Sequence, residues 1–417
     1  MSGMTVIEKI FSRHTQEEVA PGRIVWIDLD VISARDFAGP NVVKNYRKYY
    51  GDTPVVDRER VLFTFDLTVP PKTIQYANNQ QICREFAREQ GIRVFDVDRG
   101  IGTHTMMEEG IALPGTIVVG TDSHMNILGA VNCFGQGMGD VDIAFGFRRG
   151  RTWFEVPRTK LVRVTGKPGV PVSGKDLALW MLGELKTDRV LGCAVEFKGD
   201  AVENLDLAGR ITFLSMITEM GGIVGFIPFN ARTADQIRQM NGLGTCPEEV
   251  RADADARYDE EITIDVSAIE PMVAAPPVPH NVHRVSELSD VHVDFGFIGS
   301  CTNGRLEDIE AAWKILKGRK IAPGTRLAIV PTTQRVYIEA MERGMLSDLA
   351  HAGAIISNPG CGGCAQGHIG MTGRNEVMLS TGNRNFPGKQ GDGFNYLTSP
   401  EVVAWSVLSG RLTAKEG

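Results

Sequence analysis

Two stretches in the C-terminal part of this chain, VHVDFGFIGSCTNGRLEDIEAAWKIL (291–316) and GAIISNPGCGGCAQGHIG (353–370), each run from an apolar strand pattern into a tight polar turn that carries cysteine. The first turn holds Cys301, and the second holds Cys361 and Cys364. Parallel strands of one sheet end at the same edge, so this recurrence predicts that the three sulfurs come together there. Beyond Cys301 the pattern turns amphipathic, which predicts a helix capped by Thr302 or Asn303 with its first N–H groups aimed at the sulfur.

The rest of the chain alternates in the same way. Short β-rich runs such as Val61-Leu62-Phe63-Thr64-Phe65 and Thr116-Ile117-Val118-Val119 are interleaved with helical patterns. One of these is QQICREFAREQG, with Ile82 and Phe86 on one face and Gly91 as its stop. Alternation of this kind predicts layered α/β domains. The segment PMVAAPPVPHNVH (271–283) carries four prolines, which fit neither regular helix nor a central strand, so it reads as a linker. A second boundary is expected near residue 160, where the strand pattern KLVRVTG begins. The expected division is 1–160, 161–270, a linker at 271–285, and 286–417.

A net charge of −7, with no long block of like charges, argues against nucleic acid or an anionic membrane as the main partner. The N-terminal run MSGMTVIEKIFSRHTQEEV lacks the apolar core of a secretory signal, and no apolar run approaches 18 residues. The expected compartment is therefore the cytoplasm. Seven cysteines in such a chain favour reduced thiols or metal ligands over a disulfide framework.

The Cys361-x-x-Cys364 pair alone also suits a redox pair, half of a zinc site or two structural thiols. A redox pair has no use for a third cysteine on a matching turn, and structural zinc and electron-transfer 4Fe-4S clusters normally take four ligands. Three thiolates leave one iron open, which is what a Lewis acid for dehydration needs.

The motifs GTDSHMNILGA (120–130), AVEFKG (194–199), FIGSCTNGRLED (297–308), NPGCGGCAQGHIG (358–370) and STGNRNFPGKQG (380–391) resemble the aconitase superfamily, in particular the large subunits of isopropylmalate dehydratase and homoaconitase. Their order covers nearly the whole chain. The resemblance implies three α/β/α domains around a central 4Fe-4S cluster held by Cys301, Cys361 and Cys364, with one iron not ligated by cysteine. It also implies that the fourth, swivelling domain and its serine base come from a separate small subunit.

The expected activity is that of a hydro-lyase or isomerase acting on a small hydroxy-dicarboxylate, 3-isopropylmalate or a close relative. Homocitrate or another alkylmalate is the alternative substrate, and a non-catalytic regulatory or RNA-binding subunit is the alternative role.

Asp122, Ser123 and His124 follow the strand-like TIVVG, where catalytic groups of α/β proteins often lie. Taken alone, Asp-Ser-His reads as a turn with a capping Asp. The resemblance implies a His124–Glu196 pair suited to protonating a departing hydroxide, with Ser123, Asn383 and Arg384 at the substrate. It also places Asp66 and His104 among the catalytic groups.

Three positions depart from the family pattern. Leu67 stands where a histidine usually follows Asp66, and Thr103 takes a histidine position with His104 displaced by one residue. Lys389 replaces an arginine that helps hold substrate. On an extended segment, the displacement of His104 would point it away from the site.

Overall fold

The computed structural model describes residues 3–364 and 368–415. After a first strand, β1 (Ile24–Asp28), the chain lays down β2 (Val31–Arg35), β3 (Val61–Thr64), β4 (Arg93–Phe95), β5 (Ile117–Gly120) and β6 (Phe134–Gly137). These five form a parallel sheet in the order β4-β3-β2-β5-β6. The next strand, β7 (Arg151–Glu155), returns to pair antiparallel with β1 beside that sheet.

A second parallel sheet, in the order β10-β9-β8-β11, consists of β8 (Thr159–Thr165), β9 (Ala194–Lys198), β10 (Val224–Phe226) and β11 (Glu260–Asp265). The third sheet has seven strands: β12 (Met272–Ala274), β13 (Val282–Arg284), β14 (Phe295–Ile298), β15 (Arg326–Ile329), β16 (Ile355–Ile356), β17 (Val377–Ser380) and β18 (Phe394–Thr398). Their order is β13-β12-β18-β17-β14-β15-β16, antiparallel only where β12 meets β13 and β18. Among the described residues no helix is long and apolar enough to cross a membrane.

The proline-rich stretch is therefore not a free linker. Met272–Ala274 is an internal strand of the third sheet, and the prolines fall just outside it: Pro271 precedes β12, while Pro276, Pro277 and Pro279 lie in the turn to β13. That turn is closed by Ala275 N–H donating to Asn281 O at 2.8 Å. A proline costs a ladder bond only inside a strand, so its confinement to the turn reconciles composition with sheet.

The helix expected around residue 85 runs from Ile74 to Gln90. Thr73 Oγ1 caps it by accepting from Tyr76 N–H, and Gly91 ends it at φ 68°. Its core face is Gln80, Cys83, Phe86 and Ala87, whereas Ile82 is exposed.

All three of these sheets are wound so that the chain returns to the other side of an earlier strand; in the second, strands progress from β8 to β10 and resume at β11 beside β8. In the first, strands progress outward from β2 to β4 and then resume at β5 on the other side of β2. In the third, they progress from β14 to β16 and resume at β17 on the other side of β14. Such reversals leave a crevice at the C-terminal ends of the strands, the usual ligand site of α/β sheets. One buried apolar cluster joins residues of all three sheets, including Val31, Val118, Val162, Val195, Met272 and Leu397, and it contains Cys301 and Cys361.

Candidate active site

Cys301 follows β14 and Cys361 follows β16, so both leave the same edge of the third sheet, as the recurrence in sequence requires. Cys361, Gly362, Gly363 and Cys364 form a single tight turn closed by Cys364 N–H donating to Cys361 O at 3.3 Å. Gly362 has φ 57°, and a Cβ there would lie 2.9 Å from Phe297 and Val330, so no other residue fits this position easily.

The helix after Cys301 begins later than the pattern suggests, at Leu306, with Arg305 as N-cap and Asp308 Oδ2 accepting from the N–H groups of Gly304 and Arg305. Cys301 therefore lies in the loop ahead of the helix, not at its first turn. Residues 365–367 of the NPGCGGCAQGHIG motif lie outside the described residues.

Burial pushes the Cys301 thiol up to about 12, and the charges of Asp122 and Cys364 add to the effect. Burial likewise holds Cys361 well above its ordinary value despite the opposing charge of Arg35. Cys301 and Cys361 are thus buried, with the half-buried Cys364 close enough for its charge to act on both. Among the described residues no three His, Cys, Asp or Glu side chains are arranged to hold a metal ion. A four-iron cluster takes each thiolate at a different iron, so its ligands need not converge on one point. Burial that disfavours free thiolates makes cluster uptake a step that displaces protons.

Facing the cysteines is the edge of the first sheet. Arg35 ends β2 and Asp66 follows β3, while Asp122, Ser123 and His124 follow β5. Arg35 Nε donates to Asp66 Oδ1 at 2.7 Å, its Nη1 stands 3.2 Å from Asp122 Oδ1, and its Nη2 donates to Cys361 Sγ at 2.6 Å. Asp66 also accepts from the Gly102 N–H at 2.7 Å, and its main-chain oxygen accepts from the Cys361 N–H at 2.9 Å.

Burial lifts the Asp66 carboxyl to about 7, with Arg35 only partly opposing it. At Asp122 burial pushes upward too, but Arg35 and His124 outweigh it and hold the carboxyl below its ordinary value.

His124 is paired with Glu219, not with Glu196. Its Nε2 lies 3.0 Å from Glu219 Oε1, and the Arg384 Nε donates to that same oxygen at 2.8 Å. Burial raises the Glu219 carboxyl, but His124 and Arg384 reverse the sign, so it stays ionised. An ionised carboxylate only accepts, which puts the proton on Nε2 and leaves His124 Nδ1 facing Ser123 Oγ at 3.2 Å.

Glu196 is elsewhere: it lies on β9 and accepts from Val6 N–H at 2.8 Å and from Tyr258 OH at 2.7 Å. It pins the N-terminal segment and β9 together, and burial raises its carboxyl. Glu219 was detectable as a lone carboxylate inside the apolar run FLSMITEMGGIVGFI, since a buried acid requires a partner. Arg35 had the signal of a charge ending the strand pattern DVISAR.

Asn383 and Arg384 follow β17, the strand paired with β14 on the side away from β15. Asn383 Oδ1 accepts from Ser300 Oγ at 2.9 Å and lies 3.6 Å from Cys301 Sγ, while its buried Nδ2 has no partner among the described residues. Arg384 gives only its Nε to an ion pair among the described residues. Lys175, fully buried, reaches under the same loop and donates to Gly382 O at 2.6 Å.

The remaining candidates are placed differently from expectation. His104 is on a short helix, Gly102–Glu108, and not on an extended segment. It is buried beside Thr103, and burial together with the charge of Arg305 lowers its imidazole to about 3, so it stays neutral and is no acid at neutral pH. Lys389 Nζ donates to Cys364 O at 2.7 Å, which ties it to the cysteine turn.

These features can be set against known proteins. The model of the aconitase family (aconitate hydratase) matches residues 8–291 and 286–410. The chain belongs to the aconitase family. A 3-isopropylmalate dehydratase large subunit of Moorella thermoacetica is 40% identical over 422 residues, covering 99% of this chain and 99% of that one. A probable methanogen homoaconitase large subunit of Methanothermobacter thermautotrophicus is 38% identical, covering 100% of this chain and 98% of its own length. Among solved structures, the crystal structure of Thermococcus kodakaraensis aconitase X in its holo form superimposes with a TM-score of 0.51 at 13% identity. It covers 91% of this chain and 89% of that one, a likeness of fold alone.

Membership in the aconitase family implies a 4Fe-4S cluster. The donor set suits one: three cysteines at one sheet edge, a glycine turn that brings backbone close, and the unpartnered Asn383 Nδ2 beside Cys301.

Proposed function

We propose that this chain is the large subunit of an iron-sulfur hydro-lyase that dehydrates and rehydrates a malate-type hydroxy-dicarboxylate, 3-isopropylmalate or a close relative. The observation that carries this reading is the chain Ser123–His124–Glu219–Arg384, joined to the cysteine turn through Asp122 and Arg35. Relatives of this length named for isopropylmalate and homoaconitate chemistry support it.

When bound at Cys301, Cys361 and Cys364, the cluster supplies a Lewis-acidic iron that has no cysteine ligand. Arg384, whose terminal nitrogens have no ion-pair partner among the described residues, clamps one substrate carboxylate through two parallel hydrogen bonds. Asn383 Nδ2 and Ser123 Oγ add single donors that fix its orientation. His124 holds the proton needed by the departing hydroxyl at Nδ1, while Glu219 keeps the opposite nitrogen protonated and stabilises the imidazolium. Lys389 lends positive charge at the mouth of the site. The base that removes the carbon-bound proton, a serine, is assigned to a small subunit that carries the swivel domain.

With Leu67 and Thr103 in place of two histidines, hydroxyl protonation rests on His124 alone. These replacements alter the pocket around the leaving hydroxyl, so within that class a relative such as homocitrate, a dimethylmalate or another alkylmalate is favoured over 3-isopropylmalate. The test is an anaerobically reconstituted complex with its small subunit, assayed against 3-isopropylmalate, other alkylmalates and homocitrate. Turnover of one of these by the complex, with none by the isolated chain, is expected. A fully loaded complex that turns over none of them contradicts the proposal. If 3-isopropylmalate is turned over as fast as every relative, the altered-substrate part fails.

A further inference from the structure

The motifs that carry the family resemblance do not include Arg35, yet its side chain reaches three groups of the site. It is the last residue of β2, at the point where the first sheet reverses, and its own N–H donates to Thr121 Oγ1 at 2.9 Å. Its side chain is only 11% exposed, so the guanidinium has little water to turn to. Each of its three nitrogens meets a different acceptor: Asp66 Oδ1, Asp122 Oδ1 and Cys361 Sγ.

Two of those acceptors belong to the first sheet and the third to the cysteine turn of the third sheet. The Cys361 N–H donates to Asp66 O, so cysteine, aspartate and arginine form a closed set of contacts between the two sheets.

We infer that Arg35 is the positioning residue that fixes the Cys361 sulfur for cluster binding and, by its charged N–H···S contact, raises the reduction potential of the cluster held there. The inference rests on the cluster reading above. A planar guanidinium spreads five N–H donors over three separated nitrogens, so it reaches three acceptors set apart around its rim, which the single nitrogen of an ammonium or an amide does not. Arg35 is not a second substrate clamp, because every one of its nitrogens already has a carboxyl or sulfur partner, whereas the terminal nitrogens of Arg384 have no ion-pair partner among the described residues.

Hydrogen bonds to cysteinyl sulfur draw electron density from the cluster and favour its reduced form. They also order the ligand, so their loss weakens retention of the metal. Asp66 and Asp122 depend on the same cation, and without it two carboxylates would face the thiolates uncompensated.

The experiment compares wild type, Arg35→Lys and Arg35→Gln as full chains reconstituted anaerobically. Reduction midpoints are taken from the electron paramagnetic resonance signal of the reduced cluster, iron release to a chelator is timed, and circular dichroism reports folding. Arg35→Gln is expected to show a lower midpoint and a cluster retained about ten- to hundred-fold less well. Arg35→Lys, which keeps the charge but reaches one acceptor, is expected between the two.

Midpoint and retention unchanged in both variants would overturn the inference while leaving the cluster reading intact. A wild-type chain that takes up no iron and sulfide would overturn both. If Arg35→Gln does not fold, Arg35→Lys decides: a shifted midpoint supports the inference and an unchanged one overturns it.

Discussion

Replacing Glu219 with glutamine removes the negative charge shared by His124 Nε2 at 3.0 Å and Arg384 Nε at 2.8 Å. Each contact is charge-assisted, a kind worth about 1.5–3 kcal/mol. The Glu219 side chain is 2% exposed and His124 3%, so that half of the loss is felt in full. Arg384 is 26% exposed and recovers part of its share from water. A destabilisation of about 2–4 kcal/mol follows, with a fall in kcat of about 10²–10⁴-fold once the imidazole loses its orienting anion.

The control is Glu196→Gln, which disturbs the contacts to Val6 and Tyr258 but touches no residue of the crevice. Thermal melting and steady-state kinetics of the two-subunit complex read both effects. The pH dependence has a definite sign: the folded Glu219 carboxyl lies below 4.5, so its stabilisation is present above that pH and is lost as pH falls through the folded value. Wild type and Glu219→Gln should therefore converge in acid. Equal losses of kcat in the two variants, or a larger loss in Glu196→Gln, would refute the pairing.

Glu401 is a second pH-sensitive site, far from the cysteines in sequence: burial lifts its carboxyl from 4.5 to about 7, and its Oε2 has no partner among the described residues. Because the folded value is raised, stability is full below pH 4.5 and falls as pH rises through 7. Glu401→Gln should gain up to about 3 kcal/mol at pH 8 and nothing at pH 4, and parallel melting curves at both pH values would contradict this. Gly102→Ala would place a Cβ 2.6 Å from Thr64, which is itself buried in β3, and would push the Gly102 N–H off Asp66. A loss of about 1–3 kcal/mol is expected, and an unchanged melting temperature would refute the close packing.

How much of this was legible in the sequence depends on the length of chain that each feature needs. Strands ending at Ile298 and Ile356, with cysteine after each, are local patterns, and parallel pairing brings their ends together without further information. The Asp122-Ser123-His124 turn after β5 is local in the same sense. The partner of His124 is not. Glu196 and Glu219 are both acids in apolar surroundings, and only the packing of the loop before β10 brings Glu219 to the histidine, 95 residues away in sequence.

Arg35 meets Cys361 across 326 residues, a contact that no spacing rule anticipates. The GIGTHT segment has too few residues to reveal its period, and Asp66 accepting from the Gly102 N–H at the start of the helix sets His104 on a helical turn. For the prolines at 271–279, their places relative to β12 and β13, and not their number, decide the structure.

The central claim, that three cysteines on one edge hold a four-iron cluster, is tested most directly by counting what the chain binds. Wild type and the Cys301→Ser, Cys361→Ser and Cys364→Ser variants are reconstituted anaerobically with iron and sulfide, and bound iron and acid-labile sulfide are assayed per chain. The account predicts close to four of each in wild type, with a marked loss in every variant. Substoichiometric binding in wild type, or a Cys364→Ser variant that binds as wild type does, would contradict it.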